Sequence, residues 1–359
     1  MGDHYLMLVN TAMASQMAAP KIAQFDRSPY DGLAVSFAPA YDTSPVPSPT
    51  AMQALIAGWK KSTRKGIWPS VYLNRMIGAN DAERNPLTQV AYFQRFQGLD
   101  LDGKAGAQKD FLENWRSALR VARETAVPGI VCDLEFYNNY KAYDVAELAR
   151  MTSLAQPDVL NSLRKLGARM ADIAAEEYPG ANLWFLFTGF TRDDYRVIEG
   201  RRYYLAATYI AEGLLDEIVQ RRFNLRVLSG GEVGLGYCHA SLADLGAAIK
   251  KRSDAFAPLL EKYSGVLELA GTITLWSDRA AKKDWVAQGT CGASTASSVE
   301  DLIPYMELLF HSYRYNWIYG SPNGGYLAFQ NASADRFDAA IAQAKEHMFS
   351  GMGRTTPRP

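Results

Sequence analysis

The chain is poor in the residues that build metal and disulfide sites. Of its 359 residues, three are cysteine (Cys132, Cys238, Cys291) and four are histidine (His4, His239, His311, His347). An odd cysteine count with no CxxC spacing argues against a disulfide framework and a zinc cluster. No HExxH or paired histidine spacing occurs, so no metal site is expected. Net charge is also absent, with 38 basic and 38 acidic side chains. Nothing in that balance attracts nucleic acid or an anionic membrane, and neither is expected as a partner. No apolar run approaches the ~20 residues that span a bilayer. The opening MGDHYLMLVN has no basic stretch followed by a long apolar one, so no secretory signal is expected within it. No GxGxxG follows the first strand, no GxSxG elbow occurs, and no lysine sits mid-strand. These absences count against a dinucleotide fold, a serine hydrolase and a Schiff-base aldolase. No cofactor is expected.

What is present is a regular alternation. Strand-like apolar runs read at 5–10, 32–37, 68–74, 129–136, 182–189, 224–230, 271–276 and 313–320. Most are apolar on both faces, as a parallel sheet covered by helices requires. Amphipathic stretches lie between them. Phe111, Trp115, Leu119 and Ala122 recur at helical spacing in 107–126, and Leu163, Leu166, Met170 and Ile173 in 157–178; a last helix reads at 334–349. Eight strands alternating with helices predict a single α/β domain over residues 1–350, a (β/α)8 TIM barrel. A doubly wound open sheet is the alternative. Residues 351–359, ending GRTTPRP, are expected to lack order.

The connections are unequal. Those entering strands are short and turn-like (VPG, YPGAN, FN), whereas those leaving strands at 75–106, 137–156, 231–241 and 277–297 are long. In a barrel the long set forms the carboxyl-terminal face, where active sites are built.

Chemistry is expected where strand four ends, in GIVCDLEFYNNY. Strand alternation puts Asp133 and Glu135 on one side and Leu134 on the other. Two carboxylates this close cannot both ionise freely, and the raised pKa of one suits a general acid. A structural, hydrogen-bonded acid pair is the alternative. The second candidate segment is LSGGEVGLGYCH, leaving strand six. Its glycines permit tight turns and close ligand approach around Glu232. Glu232 suits a nucleophile or base, with Tyr237 and His239 hydrogen-bonding a substrate; a surface turn with a solvated Glu232 is equally consistent. A third reading makes SGG here and SPNGG at 321–325 a phosphate cup, although no lysine or arginine lies beside either. Asn74, at the end of strand three, is a further candidate contact.

Aromatic residues make up 12% of the chain, and several sit at strand ends, where flat amphipathic ligands stack. Trp276 and Asp278 end strand seven; Tyr315, Trp317 and Tyr319 lie in strand eight. Core packing is the alternative for each. Glu268 reads as a helix or rim residue before strand seven, and Asp100 and Asp102 in GLDLDG as a solvated turn rather than a calcium loop.

The D-x-E at the end of strand four resembles the carboxylate motif of chitinase-like glycosidases and the related barrel lysozymes. The resemblance implies that Glu135 is the proton donor to a glycosidic oxygen and Asp133 its partner. In such barrels a tryptophan on the last strand commonly floors a sugar subsite, which Trp276 and Trp317 resemble. The resulting expectation is a glycoside hydrolase with a carbohydrate substrate, using Glu135, Asp133 and Glu232 as catalytic carboxylates. Trp276, Trp317, Tyr319, Tyr237, His239, Asp278 and Asn74 would then bind the substrate. A lyase or isomerase acting on a sugar or sugar phosphate, and a non-catalytic carbohydrate-binding barrel, are the alternatives.

Overall fold

The computed structural model describes residues 4–13, 19–36, 48–61, 63, 65–72, 106–134, 145–152, 154–187, 195–198, 201–204, 206–232, 234–236, 239, 241–278, 283–286, 300–320 and 332–352. In chain order the elements begin β1 (Tyr5–Met13), α1 (Ala19–Arg27), β2 (Gly32–Ser36), α2 (Pro49–Trp59), β3 (Gly66–Tyr72), α3 (Gly106–Glu124) and β4 (Gly129–Asp133). Next come α4 (Val145–Thr152), α5 (Gln156–Glu177), β5 (Asn182–Phe185), β6 (Tyr195–Ile198), β7 (Arg201–Tyr204), α6 (Ala207–Arg221) and β8 (Arg226–Ser229). The last are α7 (Leu242–Lys262), β9 (Leu267–Asp278), β10 (Lys283–Val286), α8 (Leu302–Ser312), β11 (Tyr315–Gly320) and α9 (Ala332–Met352).

Eight strands pair in parallel in the order β1, β2, β3, β4, β5, β8, β9, β11, and β11 pairs back onto β1. Among the described residues these eight strands close on themselves. This is a closed (β/α)8 barrel, and the doubly wound alternative is set aside. Each of the eight predicted runs contributes one of these strands.

Alternation decides what fills the barrel. Tyr5, Trp68, Trp184 and Tyr315, from β1, β3, β5 and β11, meet in one layer with ring centroids 5.7 to 6.4 Å apart. Such bulky residues fit because β2 and β3 contribute glycines to the same layer. A Cβ on Gly32 would lie 2.3 Å from the Tyr5 hydroxyl, and one on Gly66 would lie 2.9 Å from Trp68 Nε1. The Trp68 indole donates to Tyr5 Oη at 2.7 Å. Below this layer Arg226 donates to the Tyr315 hydroxyl at 3.0 Å and lies 3.7 Å from Glu268. Glu268 is therefore not ahead of the strand. It sits in β9, in register with Leu228, because β9 starts earlier than its apolar run suggests.

The opposite strand faces pack on the helices. Phe185 stacks on Trp115 of α3 at 6.1 Å, and the predicted stripes of α3 and α5 are buried. The α5–α6 crossing is the tightest: a Cβ on Gly167 would come 1.9 Å from the Ile210 carbonyl, and one on Gly213 2.0 Å from that of Arg164.

Short connections 125–128, 178–181, 222–225 and 263–266 lead into β4, β5, β8 and β9. The antiparallel hairpin β6–β7 lies in the connection leaving β5, and β10 pairs antiparallel with β9 after that strand ends. Neither was read from the sequence. Among the described residues no helix is long and apolar enough to cross a membrane.

Candidate active site at the carboxyl ends of the strands

Asp133 is the last residue of β4. Its register partner on β3 is Tyr72, and Val131, two residues earlier, is in register with the inward-facing Trp184. Alternation therefore turns Asp133 to the barrel interior, where it is 2% exposed. Cys132, on the helix side, is fully buried, and burial, assisted by the charge of Asp133, pushes its thiol well above its usual pKa. A thiol held protonated is not a nucleophile. Glu135 follows Asp133 by two residues and lies outside the described residues, as do Asn74, Tyr237, Asp100, Asp102 and the SPNGG loop. Trp276 and Asp278 belong to β9, with backbone register to Val286 and Lys283 of β10.

The turn after β8 is tightly built. Gly230 donates its N–H to the Phe185 carbonyl at 2.6 Å, and Gly231 accepts from the amides of Leu235 at 3.1 Å and Gly236 at 3.0 Å. Gly231, Gly234 and Gly236 have φ of 87°, 91° and 73°, a region costly for residues with a Cβ. Gly230 is needed for a different reason, since a Cβ there would lie 2.5 Å from the Phe185 carbonyl. Glu232 sits half-buried on this turn. Within SGG the Gly230 amide is already bonded to the Phe185 carbonyl, which leaves that group unable to hold a phosphate.

His239 closes the same connection. It is buried, and among the described residues its Nε2 has no hydrogen-bond partner. Burial lowers its pKa, against smaller opposing contributions from a backbone hydrogen bond to Gly236 and the charge of Asp244. A neutral imidazole at neutral pH is the consequence.

Strand β11 separates two predicted aromatics by depth. Trp317 is 1% exposed, and its indole donates to the Gly230 carbonyl at 2.7 Å. It packs beneath the mouth instead of offering an open stacking face. Tyr319, one pleat nearer the carboxyl end, is half-buried. Among the described residues no three His, Cys, Asp or Glu side chains gather as a metal site.

One site-supporting residue was missed in the sequence. Arg252 of α7 is 1% exposed and bonds to Ser229 at the end of β8 and to Ala270, beside it in β9. The available signal was its place on the buried stripe with Leu245 and Phe256, where an arginine must find partners.

No protein-family model matches the chain, and no curated protein matches it. Among solved structures, an endo-β-mannanase/endo-β-glucanase from Prevotella bryantii is 8% identical, with a TM-score of 0.48. That match covers 95% of this chain and 48% of the other, so the chain spans about half the length of that protein. The catalytic domain of a β-amylase from Paenibacillus polymyxa is 9% identical over 95% of this chain and 98% of its own, with a TM-score of 0.49. A D-psicose 3-epimerase is 9% identical over 97% and 99%, with a TM-score of 0.43. The barrel assignment rests on the strand pairing.

Proposed function

We propose that the protein is a glycoside hydrolase that cleaves an oligo- or polysaccharide by carboxylate acid/base catalysis. The observation that carries this reading is Asp133, an acid 2% exposed and turned inward at the carboxyl end of a barrel strand. Burying a carboxylate is costly unless partners or chemistry use it. In the proposal Glu135 protonates the leaving oxygen and Asp133 tunes it. Glu232 is nucleophile or base, depending on whether the carboxylates stand ~5 Å apart (retention) or ~6.5–9.5 Å apart (inversion). Trp276 and Tyr319 line the sugar site with Trp317 supporting it from below, and Tyr237, His239, Asp278 and Asn74 supply hydrogen bonds. A neutral His239 can donate or accept without adding charge to an acidic site.

The test is release of reducing ends from a panel of β-mannan, xyloglucan, carboxymethylcellulose, starch and chitosan. Turnover of at least one supports hydrolysis. Retention on a polysaccharide gel without turnover supports the binding-barrel alternative. Saturable phosphate binding with neither supports an enzyme of sugar phosphates.

A further inference from the structure

The carboxyl end of β8 and the first third of β9 beside it are gripped from outside the barrel by one side chain. Arg252 Nη1 donates to the Ala270 carbonyl at 2.7 Å; Nη2 donates to the Ser229 carbonyl at 2.8 Å and to Ser229 Oγ at 3.0 Å. The guanidinium lies between two rings, with Cζ 5.4 Å from the centroids of Phe256 and Tyr313. Gly231 passes directly over it, since a Cβ there would lie 2.7 Å from Nη1. From the inside, Trp317 holds the Gly230 carbonyl. The peptides from Ser229 to Gly231 are therefore fixed on both sides, and Glu232 is the next residue.

A buried cation is an expensive way to pack a helix, and an apolar residue of similar volume usually does so at least as well. Leu245 and Phe256, also buried on this helix, are apolar. What arginine adds is geometry: a planar fork that reaches both strands at once, which lysine cannot reproduce.

We propose that Arg252 is a positioning residue that sets the direction of the Gly230–Glu232 turn, and so the place of Glu232 relative to Asp133. The catalytic half of this inference rests on the proposed role of Glu232. A misplacement of ~1 Å costs on the order of a hundredfold in rate. Arg252→Lys should then lower kcat by about 10- to 100-fold while KM changes less than about threefold.

The experiment pairs kinetics with a measurement that needs no substrate. Amide hydrogen exchange is followed in peptides spanning 229–236 and, as control, α5. In Arg252→Lys the turn should exchange at least about tenfold faster with α5 unchanged. Ser229→Ala, which removes one acceptor, keeps the test available if Arg252→Lys fails to fold; it should speed turn exchange about threefold. Unchanged exchange at the turn overturns the clamp. Faster exchange with unchanged kcat overturns its positioning role. Glu232→Gln is assayed in parallel on the polysaccharide most readily cleaved in the panel. Full activity there sinks the role of Glu232, while the exchange result still decides whether Arg252 fixes the turn.

Discussion

Two glycines in the turn after β8 separate the cost of backbone conformation from the cost of crowding. Gly231 has φ of 87° and Gly236 φ of 73°, so an alanine at either pays roughly 1–2 kcal/mol for left-handed backbone. Their surroundings differ. A Cβ on Gly236 meets none of the described residues within 4 Å, whereas one on Gly231 would lie 2.7 Å from Arg252 Nη1 and 3.0 Å from the Ala270 carbonyl. Arg252 cannot withdraw without loosening its bond to Ala270, and the carbonyl belongs to a barrel strand. Overpacking of this kind costs about 1–3 kcal/mol. Gly236→Ala should therefore destabilise by about 1–2 kcal/mol, and Gly231→Ala by about 2–5 kcal/mol. Urea unfolding followed by tryptophan fluorescence and by circular dichroism measures both variants on one scale. Equal losses in the two would show that the guanidinium does not crowd the turn, and the two-sided grip on Ser229–Gly231 would fall with that result.

Other outcomes follow from the same structure. Gly167→Ala gains about 1 kcal/mol of helix propensity but drives a Cβ into the Ile210 carbonyl, so it should be a net loss of up to roughly 2 kcal/mol. Gly246→Ala on α7, with none of the described residues within 4 Å, should instead stabilise by up to about 1 kcal/mol; thermal melts of the pair test the contrast. Trp317→Phe removes the hydrogen bond to Gly230 and should cost about 1–3 kcal/mol by leaving that carbonyl unpaired, read by urea unfolding. Glu177 is buried, which alone would raise its pKa, but hydrogen bonds and charge from Arg120 and Arg116 hold it below the usual value. A carboxylate depressed in the folded state stabilises above its unfolded pKa of about 4.3 and loses that contribution as pH falls through its lower folded value. Glu177→Gln should accordingly narrow its stability gap to the wild type below about pH 4, measured by urea midpoints across pH.

The barrel was legible because its strands are apolar on both faces and bounded by turns, a pattern that depends on local chain properties. The carboxyl-terminal face was legible from loop length for the same reason. Glu268 was misread because β9 begins with residues that look like a rim; it is paired with Leu228 through a neighbour distant in sequence. The hairpin β6–β7 was missed because its strands, YRVI and RRYY, carry arginines and no apolar alternation. For Trp317 the sequence left a sugar-facing ring and core packing both open because strand position alone does not give depth; its 1% exposure and the indole's bond to Gly230 do. Arg252 escaped notice because its partners come from two strands that only the fold brings beneath its helix. For Asp133 the sequence shows only that it shares a side with Glu135; its inward direction comes from the register of β4 with β3 and β5.

The central claim is that a carboxylate pair at the end of β4 performs acid/base chemistry on a glycosidic bond. The most direct measurement is kcat of Glu135→Gln on the polysaccharide cleaved by the wild type, with folding verified by circular dichroism. The account predicts a loss of at least about a hundredfold at unchanged fold. Wild-type turnover by a folded Glu135→Gln protein would contradict it.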